Sequence, residues 1–225
     1  MKKTLLATLL LSASALALAP LAHADVLTFY GSLNGGTPVA DGTSSSGTLT
    51  YSSSNAFGSG WNVTVSATGS PVIPQPELDT TTIDVSPTTA GTLTIYAVET
   101  GITGPLGAYM LQSSFDTTAF IGDISSITES TYIDPSDGSP LTTGPGTLLS
   151  TVTFTRTNAQ DLTAVTPDLT APYSETEVFT ITATGVGNTT DGIDTTAVPE
   201  PGSLLLLGTG LIGLGMVGWS RRRRA

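Results

Sequence analysis

Hydrophobic and polar residues alternate in short runs through most of the chain. In residues 61–67, Trp, Val, Val and Ala take every second position, with Asn, Thr and Ser between them. Successive side chains of a strand point to opposite faces, so this alternation predicts half-buried β-strands. Seven runs of this kind predict strands at 26–30, 47–52, 61–67, 92–98, 108–113, 148–155 and 175–183.

The segments between these runs carry turn-forming residues. Clusters of Asn, Asp, Gly and Pro predict turns at 34–36, 41–42, 137–138 and 144–146, and exposed loops at 71–76 and 136–145. We therefore expect an all-β fold, an antiparallel β-sandwich or barrel-like ectodomain of about 8–10 strands. The high Ser and Thr content leaves low-complexity disorder as the alternative. Aromatic residues fall inside the alternating runs, and this placement favours a packed core.

The first residues have the three parts of an export signal in order. Lys2 and Lys3 precede an apolar run at 4–18, and small residues then occupy Ala22 and Ala24. This pattern predicts a signal peptide at 1–24 that signal peptidase removes by cutting before Asp25. The alternative is an N-terminal anchor helix that remains attached, but an apolar run of this length is short for a membrane span.

A second apolar segment lies near the other end of the chain. Residues 203–220 carry no charge and are long enough for one transmembrane helix. A cluster of arginines follows directly: Arg221, Arg222, Arg223 and Arg224. Since positive residues stay on the cytoplasmic side, we expect the rest of the chain to lie on the outer side of the inner membrane.

A short proline motif precedes this helix and makes the C-terminus specific. Val198, Pro199, Glu200 and Pro201 cannot continue a helix and predict an extended, exposed stretch. Pro-Glu-Pro, an apolar helix and an arginine cluster, in this order, resemble the PEP-CTERM sorting domain of Gram-negative bacteria. The resemblance implies that an exosortase recognises the motif and removes the helix. The alternative is a plain C-terminal anchor in which the prolines form a stiff spacer.

These features divide the chain into three parts. We expect a signal peptide at 1–24, an acidic Ser/Thr-rich β ectodomain at 25–197, and a sorting and anchor segment at 198–225. The precursor would hold its ectodomain in the periplasm, and the resemblance implies later release or attachment at the cell surface or in the extracellular matrix. It also implies an association with exopolysaccharide and biofilm material.

The charge distribution excludes one class of partner. The net charge is −11, and Arg156 is the one basic residue between Lys3 and Arg221. An anionic body without a Lys/Arg patch repels the phosphate backbone, so we expect no nucleic-acid partner.

The expected mature domain also lacks most catalytic side chains. The chain has no cysteine, and its single histidine, His23, lies in the segment predicted to be cleaved. Ser-His-Asp and Cys-His arrangements and histidine-ligated zinc are therefore excluded. We assign no catalytic residue, no cofactor and no metal site.

Carboxylates remain as the possible chemical groups. Glu175 and Glu177 share one face of a predicted strand and could in principle hydrolyse glycosides, although an exposed polar face is the favoured interpretation. Two aspartate pairs could offer oxygen ligands to Ca²⁺, although turn positions are favoured for them. These pairs are Asp134 with Asp137 and Asp191 with Asp194. We expect Arg156 to pair with one of the carboxylates.

The leading functional hypothesis is a non-catalytic surface or matrix protein with a structural or adhesive role. A carboxylate-dependent polysaccharide hydrolase and a Ca²⁺-stabilised carbohydrate-binding module are the alternatives.

Overall fold

A computed structural model describes residues 25–58, 60–107, 110–142, 144–165 and 169–198. Within these ranges the chain forms strands and one short 3-10 turn, Ala56–Gly58, and none of its helices is long and apolar enough to cross a membrane. The strands are β1 (Val26–Leu33), β2 (Val39–Ser44), β3 (Thr48–Ser54), β4 (Trp61–Thr68), β5 (Leu78–Pro87), β6 (Gly91–Ile102), β7 (Met110–Asp134), β8 (Thr147–Phe154), β9 (Asn158–Val165) and β10 (Tyr173–Val198).

Two long strands organise the antiparallel sheet. β7 and β10 pair along most of their length, from Ser174 opposite Asp134 to Val198 opposite Met110. The other edge of β10 pairs with β6 in its first part and with β5 in its last part. Likewise, the other edge of β7 pairs first with β9 and then with β8. The sheet therefore divides into two halves that share these two strands.

We name the two halves by their strands. The first half sheet has the order β2-β1-β6-β10-β7-β8 and uses residues 173–183 of β10 and 124–134 of β7. The second half sheet has the order β3-β4-β5-β10-β7-β9 and uses residues 187–198 of β10 and 110–122 of β7.

Glycines mark the place where the two long strands pass from one half to the other. The register shifts between Ala183 and Gly187 of β10, and Gly187 lies opposite Gly122 of β7. Gly122 has a φ of +73°, and a Cβ on it would lie 2.5 Å from the carbonyl oxygen of Val186. Because glycine adopts this conformation without strain, the glycine at this position permits the bend.

One hydrophobic core joins the two half sheets. Phe29, Ile95 and Phe179 contribute from the first half, and Trp61 and Ile83 from the second. All five are at most 2% exposed. Burial of aromatic and branched aliphatic side chains is the main source of stability, and it needs no disulfide in this domain.

The alternating pattern predicted the fold class correctly, since the described residues form an antiparallel all-β fold. The predicted strands fall largely within observed ones, and the predicted loop at 71–76 lies outside the strands. One predicted turn is wrong, because Asp41 and Gly42 lie inside β2. β1 and β2 form a bulge beside them, which accommodates turn-forming residues within a ladder.

The predicted signal peptide, the Pro-Glu-Pro motif and the anchor helix lie outside the described residues, apart from Val198 at the end of β10.

Candidate functional site

The interior of the domain contains glutamates that the sequence placed at the surface. Glu175 and Glu177 are both 0% exposed and share the inward face of β10 with Phe179 and Ile181. The predicted exposed polar face is therefore wrong. Period-two alternation shows which residues share a face of a strand, but it does not show whether that face is buried. These two carboxylates share their face with the core residues that follow them.

Other carboxylates join them from neighbouring strands. Glu99 of β6 lies directly opposite Glu175, and Glu129 of β7 lies opposite Phe179. Glu99, Glu129 and Asp191 are each at most 2% exposed. We call Glu99, Glu129, Glu175, Glu177 and Asp191 the interior carboxylates.

No cation balances these groups within the described part of the chain. Arg156, the basic residue expected to pair with a carboxylate, is exposed between β8 and β9. No ion pair joins it to an acidic side chain of the described ranges, so the expected pairing stays a prediction. Isolated buried charges are costly, and such groups shift their pKa and become neutral instead.

Hydrogen bonds reach some of the interior carboxylates and not others. Glu177 accepts hydrogen bonds from the hydroxyls of Thr80 and Thr195, the latter at 3.2 Å. Asp191 accepts from Thr189 at 2.9 and 3.0 Å. Within the described ranges, neither carboxyl oxygen of Glu129 or Glu175 has a hydrogen-bond partner. Burial without such partners disfavours the ionised form of both groups.

Burial moves the protonation of the interior carboxylates toward the neutral form. It raises the pKa of Glu99 to about 8, that of Glu129 to about 10 and that of Asp191 to about 7. The pKa values of Glu175 and Glu177 also rise well above the ordinary value, chiefly by burial and further through neighbouring acids. A polysaccharide cannot reach these side chains, so they do not form a glycosidase site.

A separate acidic cleft lies on the outer face of the second half sheet. Asp79, Asp116 and Asp194 line a cavity of about 250 Å³ together with Ser114. Asp194 of β10 lies opposite Asp79 of β5 on one side and opposite Ser114 of β7 on the other. Burial and then the charge of Asp79 raise the pKa of Asp194 to about 6. This cleft brings carboxylates from β5, β7 and β10 together at one accessible place.

Asp191 and Asp194, one of the two aspartate pairs considered for Ca²⁺, do not form a joint site. Asp191 is 2% exposed and lies on the inward side of β10 with Ile193, whereas Asp194 lines the outer cleft. Both belong to β10, so their predicted turn position is wrong. Their side chains serve two separate environments.

The other aspartate pair, Asp134 and Asp137, stabilises a turn, as the sequence indicated. The Asp137 amide donates to the Asp134 carbonyl at 3.1 Å. The Asp134 carboxylate accepts from the Ser136 amide at 2.9 Å, and Asp137 accepts from the Gly101 amide at 2.7 Å. The ranges that the structure describes contain no group of three or more His, Cys, Asp or Glu arranged to hold a metal ion.

The outer face of the first half sheet differs in chemistry from both carboxylate groups. Its outward positions on β1, β6, β7, β8 and β10 carry hydroxyl, phenol and aliphatic side chains in three adjacent rows. Tyr30 of β1 lies opposite Tyr96 of β6, in a row that continues through Val178, Ser130 and Thr151. We call these outward positions the hydroxyl face. Several of them are buried, among them Tyr30, Val98 and Thr176, so its accessible part lies at the partly exposed Tyr96 and Tyr132 and at the row of Thr94, Thr180 and Thr128.

Threonine and serine pairs cross this face from strand to strand. The hydroxyls of Thr94 and Thr180 lie 3.5 Å apart, and those of Thr128 and Thr153 lie 2.9 Å apart. This surface was not among those predicted from the sequence. The alternate threonines of residues 92–98 and 175–183 were the signal that could have found it.

The end of the chain matches a known sorting signal. Residues 197–224 match the family described as the PEP-CTERM protein-sorting motif. This motif marks an exported protein with a C-terminal membrane-anchoring region, and the resemblance seen in the sequence is confirmed. No curated protein matches the chain.

Several solved structures are distantly similar to the domain. The K1 cleaved adhesin domain of Lys-gingipain from Porphyromonas gingivalis W83 is 10% identical, with 76% of this chain and 99% of that chain covered at a TM-score of 0.36. TmCBM61, solved with β-1,4-galactotriose, is 10% identical, with 68% and 90% covered at a TM-score of 0.35.

The enzymatically active domain of tailspike protein 4 from bacteriophage CBA120 is also 10% identical. The match covers 68% of this chain at a TM-score of 0.36, but it spans only 20% of the tailspike chain.

Proposed function

We propose that the protein is an exported, non-catalytic component of the cell surface or extracellular matrix, with a structural or adhesive role and an association with exopolysaccharide. The sorting motif at 197–224 carries this proposal. The domain supports it by presenting an uncharged, partly exposed hydroxyl face while its most perturbed carboxylates lie out of reach of a substrate.

The proposed route to the surface begins with removal of the signal peptide before Asp25. The cut would leave Asp25 as the first residue, where it is 7% exposed and its side chain accepts a hydrogen bond from Gln75. The precursor then spans the inner membrane through residues 203–220, with its arginine cluster in the cytoplasm. Exosortase recognises Pro199, Glu200 and Pro201 and removes the helix.

Mass spectrometry of the mature protein tests this route. We expect an N-terminus at Asp25 and loss of the arginine cluster in a host that makes exosortase. A Glu200→Ala variant should remain in the membrane fraction with an intact C-terminus, while the loop variant Pro145→Ala should be processed normally. Wild-type surface protein that retains Arg221 to Ala225 would overturn the proposed processing.

A deletion strain tests the surface role itself. Loss of the protein should change cell aggregation or matrix texture under biofilm-forming conditions, and the full-length gene should restore both. An unchanged strain would contradict the structural or adhesive role.

A carboxylate-dependent polysaccharide hydrolase is the second candidate. The observation that favours it is the acidic cleft, where Asp79 and Asp194 face each other on adjacent strands and Asp194 has a pKa of about 6. Incubating the protein with the host exopolysaccharide would then release reducing ends, and Asp194→Asn would abolish the release. Absence of reducing ends from the wild type would exclude this activity on that polymer.

A Ca²⁺-stabilised carbohydrate-binding module is a further alternative from the sequence. It requires a higher melting temperature when Ca²⁺ is added, because a ligand that binds the folded state stabilises it. An unchanged melting temperature in millimolar Ca²⁺ would exclude it.

A further inference from the structure

The hydroxyl face is uncharged in a strongly acidic protein. Its three rows on β1, β6, β7, β8 and β10 carry no Asp, Glu, Lys or Arg. The outer face of the second half sheet shows the opposite composition, with five aspartates on the four strands β5, β7, β9 and β10: Asp79, Asp84, Asp116, Asp161 and Asp194. The net charge of −11 is therefore distributed unevenly over the two outer faces.

Tyrosines give this face an aromatic part. Tyr96 and Tyr132 are partly exposed, and Tyr30 lies directly opposite Tyr96. Burial, and then the neighbouring Tyr132 phenol, raises the pKa of Tyr96. A tyrosine ring offers an apolar surface and a polar tip, which suits the apolar CH face and the hydroxyl edge of a sugar ring.

Threonines give the face a regular set of hydrogen-bonding groups. Thr94, Thr180 and Thr128 lie opposite one another on three successive strands. Neighbouring strands are about 4.8 Å apart, so these hydroxyls repeat at that spacing across the sheet. A hydroxyl has one donor and two acceptor sites, and a pair that shares one hydrogen bond keeps a donor and acceptors for a ligand.

We propose that the hydroxyl face binds the chain of a neutral polysaccharide, with Tyr96 and Tyr132 stacking on sugar rings and the Thr94–Thr180–Thr128 row hydrogen-bonding to sugar hydroxyls. Because this face carries no charge, it favours a neutral ligand. A basic protein would be drawn to the aspartates of the other half sheet, and an anionic polymer would be repelled by the domain as a whole. This inference rests on the proposed function, since export brings the face to the polymer.

Affinity electrophoresis of the full-length protein in detergent tests the inference. The gels contain hydroxyethylcellulose as a neutral probe, alginate as an anionic probe, or the host exopolysaccharide. We expect retardation by hydroxyethylcellulose and not by alginate. Tyr96→Ala and Tyr132→Ala should each weaken retardation about tenfold in the dissociation constant, the loss expected for one stacking contact of about 1.4 kcal/mol.

A pair of charge variants separates this face from the rest of the surface. Thr180→Asp introduces a carboxylate into the threonine row, and Ser66→Asp introduces one on the second half sheet. Both residues are half-buried strand positions whose hydroxyls contact a neighbouring threonine, Thr94 or Thr50. Thr180→Asp should abolish binding to hydroxyethylcellulose, and Ser66→Asp should leave it unchanged. Circular dichroism checks that both variants keep the β-sheet signal.

Several outcomes would overturn the inference, and they differ from failure of the proposed function. If the wild type binds host exopolysaccharide but Thr180→Asp and Ser66→Asp bind equally well, the site is wrong while the polysaccharide association stands. If the wild type binds none of the polymers, both fail. Stronger retardation by alginate would overturn the neutral ligand. A dimer that forms with the wild type and is lost in Thr180→Asp would assign the face to a second copy of the chain.

Discussion

Glu99 and Glu175 lie directly opposite each other on β6 and β10, and both side chains are at most 1% exposed. Like charges at directly opposite positions of a sheet repel each other, and burial strengthens that repulsion. The pair therefore holds protons in the folded domain. Unfolding transfers both groups to water, where a glutamate ionises near its ordinary pKa.

The first prediction is that the domain is most stable in acid and loses stability as the pH rises. The folded state binds more protons than the unfolded state, because burial raises the pKa of Glu99 from 4.5 to about 8. The contribution is fully present below pH 4.5 and is lost as the pH rises toward 8. Urea unfolding at pH 4, 6 and 8, followed by near-ultraviolet circular dichroism, should give midpoints that fall at each step.

The other interior carboxylates act in the same direction. Asp191 loses its contribution between pH 3.8 and about 7, and Glu129 loses its own between pH 4.5 and about 10. The fall should therefore extend over several pH units. A midpoint that rises between pH 4 and 8 would contradict the protonated interior.

The second prediction concerns Glu99→Gln, which keeps the shape of the side chain and removes its ionisation. At pH 8 the variant should be more stable than the wild type, by on the order of a few kcal/mol, because the folded state no longer resists losing a proton. At pH 4 the two proteins should differ little. Asp123→Asn, at an exposed position of β7, is the control and should change neither midpoint.

Alternation in the sequence was sufficient to predict the core face of β4 but not the length of β10. Trp61, Val63 and Val65 all lie in the core, as their period of two indicated. In β10 the predicted strand ended at residue 183, whereas the observed strand continues to Val198. Glycines such as Gly185 and Gly187 are typical of turns. In β10 they lie at a bend of the strand instead, because β7 bends beside β10 at Gly122.

The candidate surfaces were harder to predict for a different reason. Thr94 and Thr180 are separated by 86 residues, and their contact depends on the pairing of β6 with β10. The burial of Glu175 likewise depends on which face of that pair is covered by the other half sheet. Local periodicity contains neither piece of information.

The third prediction tests the shared core through Trp61, which is 1% exposed at the start of β4. Trp61→Ala leaves a large cavity next to residues of both half sheets, so it should lower the free energy of unfolding by about 3–5 kcal/mol. Thermal denaturation monitored by far-ultraviolet circular dichroism provides the measurement. Tyr51→Ala, at a partly buried position of β3, should cost clearly less. Equal losses would mean that Trp61 does not occupy the common core.

The last prediction separates the two demands that the bend makes on Gly122. Gly122 and Gly144 have positive φ angles of +73° and +79°, but only Gly122 would place a Cβ against backbone, 2.5 Å from the Val186 oxygen. At Gly144, none of the described residues has an atom within 4 Å of that position. Gly144→Ala should therefore lower the free energy of unfolding by about 1 kcal/mol, because alanine is strained in the left-handed conformation. Gly122→Ala should cost more, about 2–4 kcal/mol, since the two long strands must also separate. Urea unfolding of both variants gives the difference between their free energies of unfolding. Equal losses would show that β7 and β10 do not approach each other as closely at this point as the pairing of Gly122 with Gly187 requires.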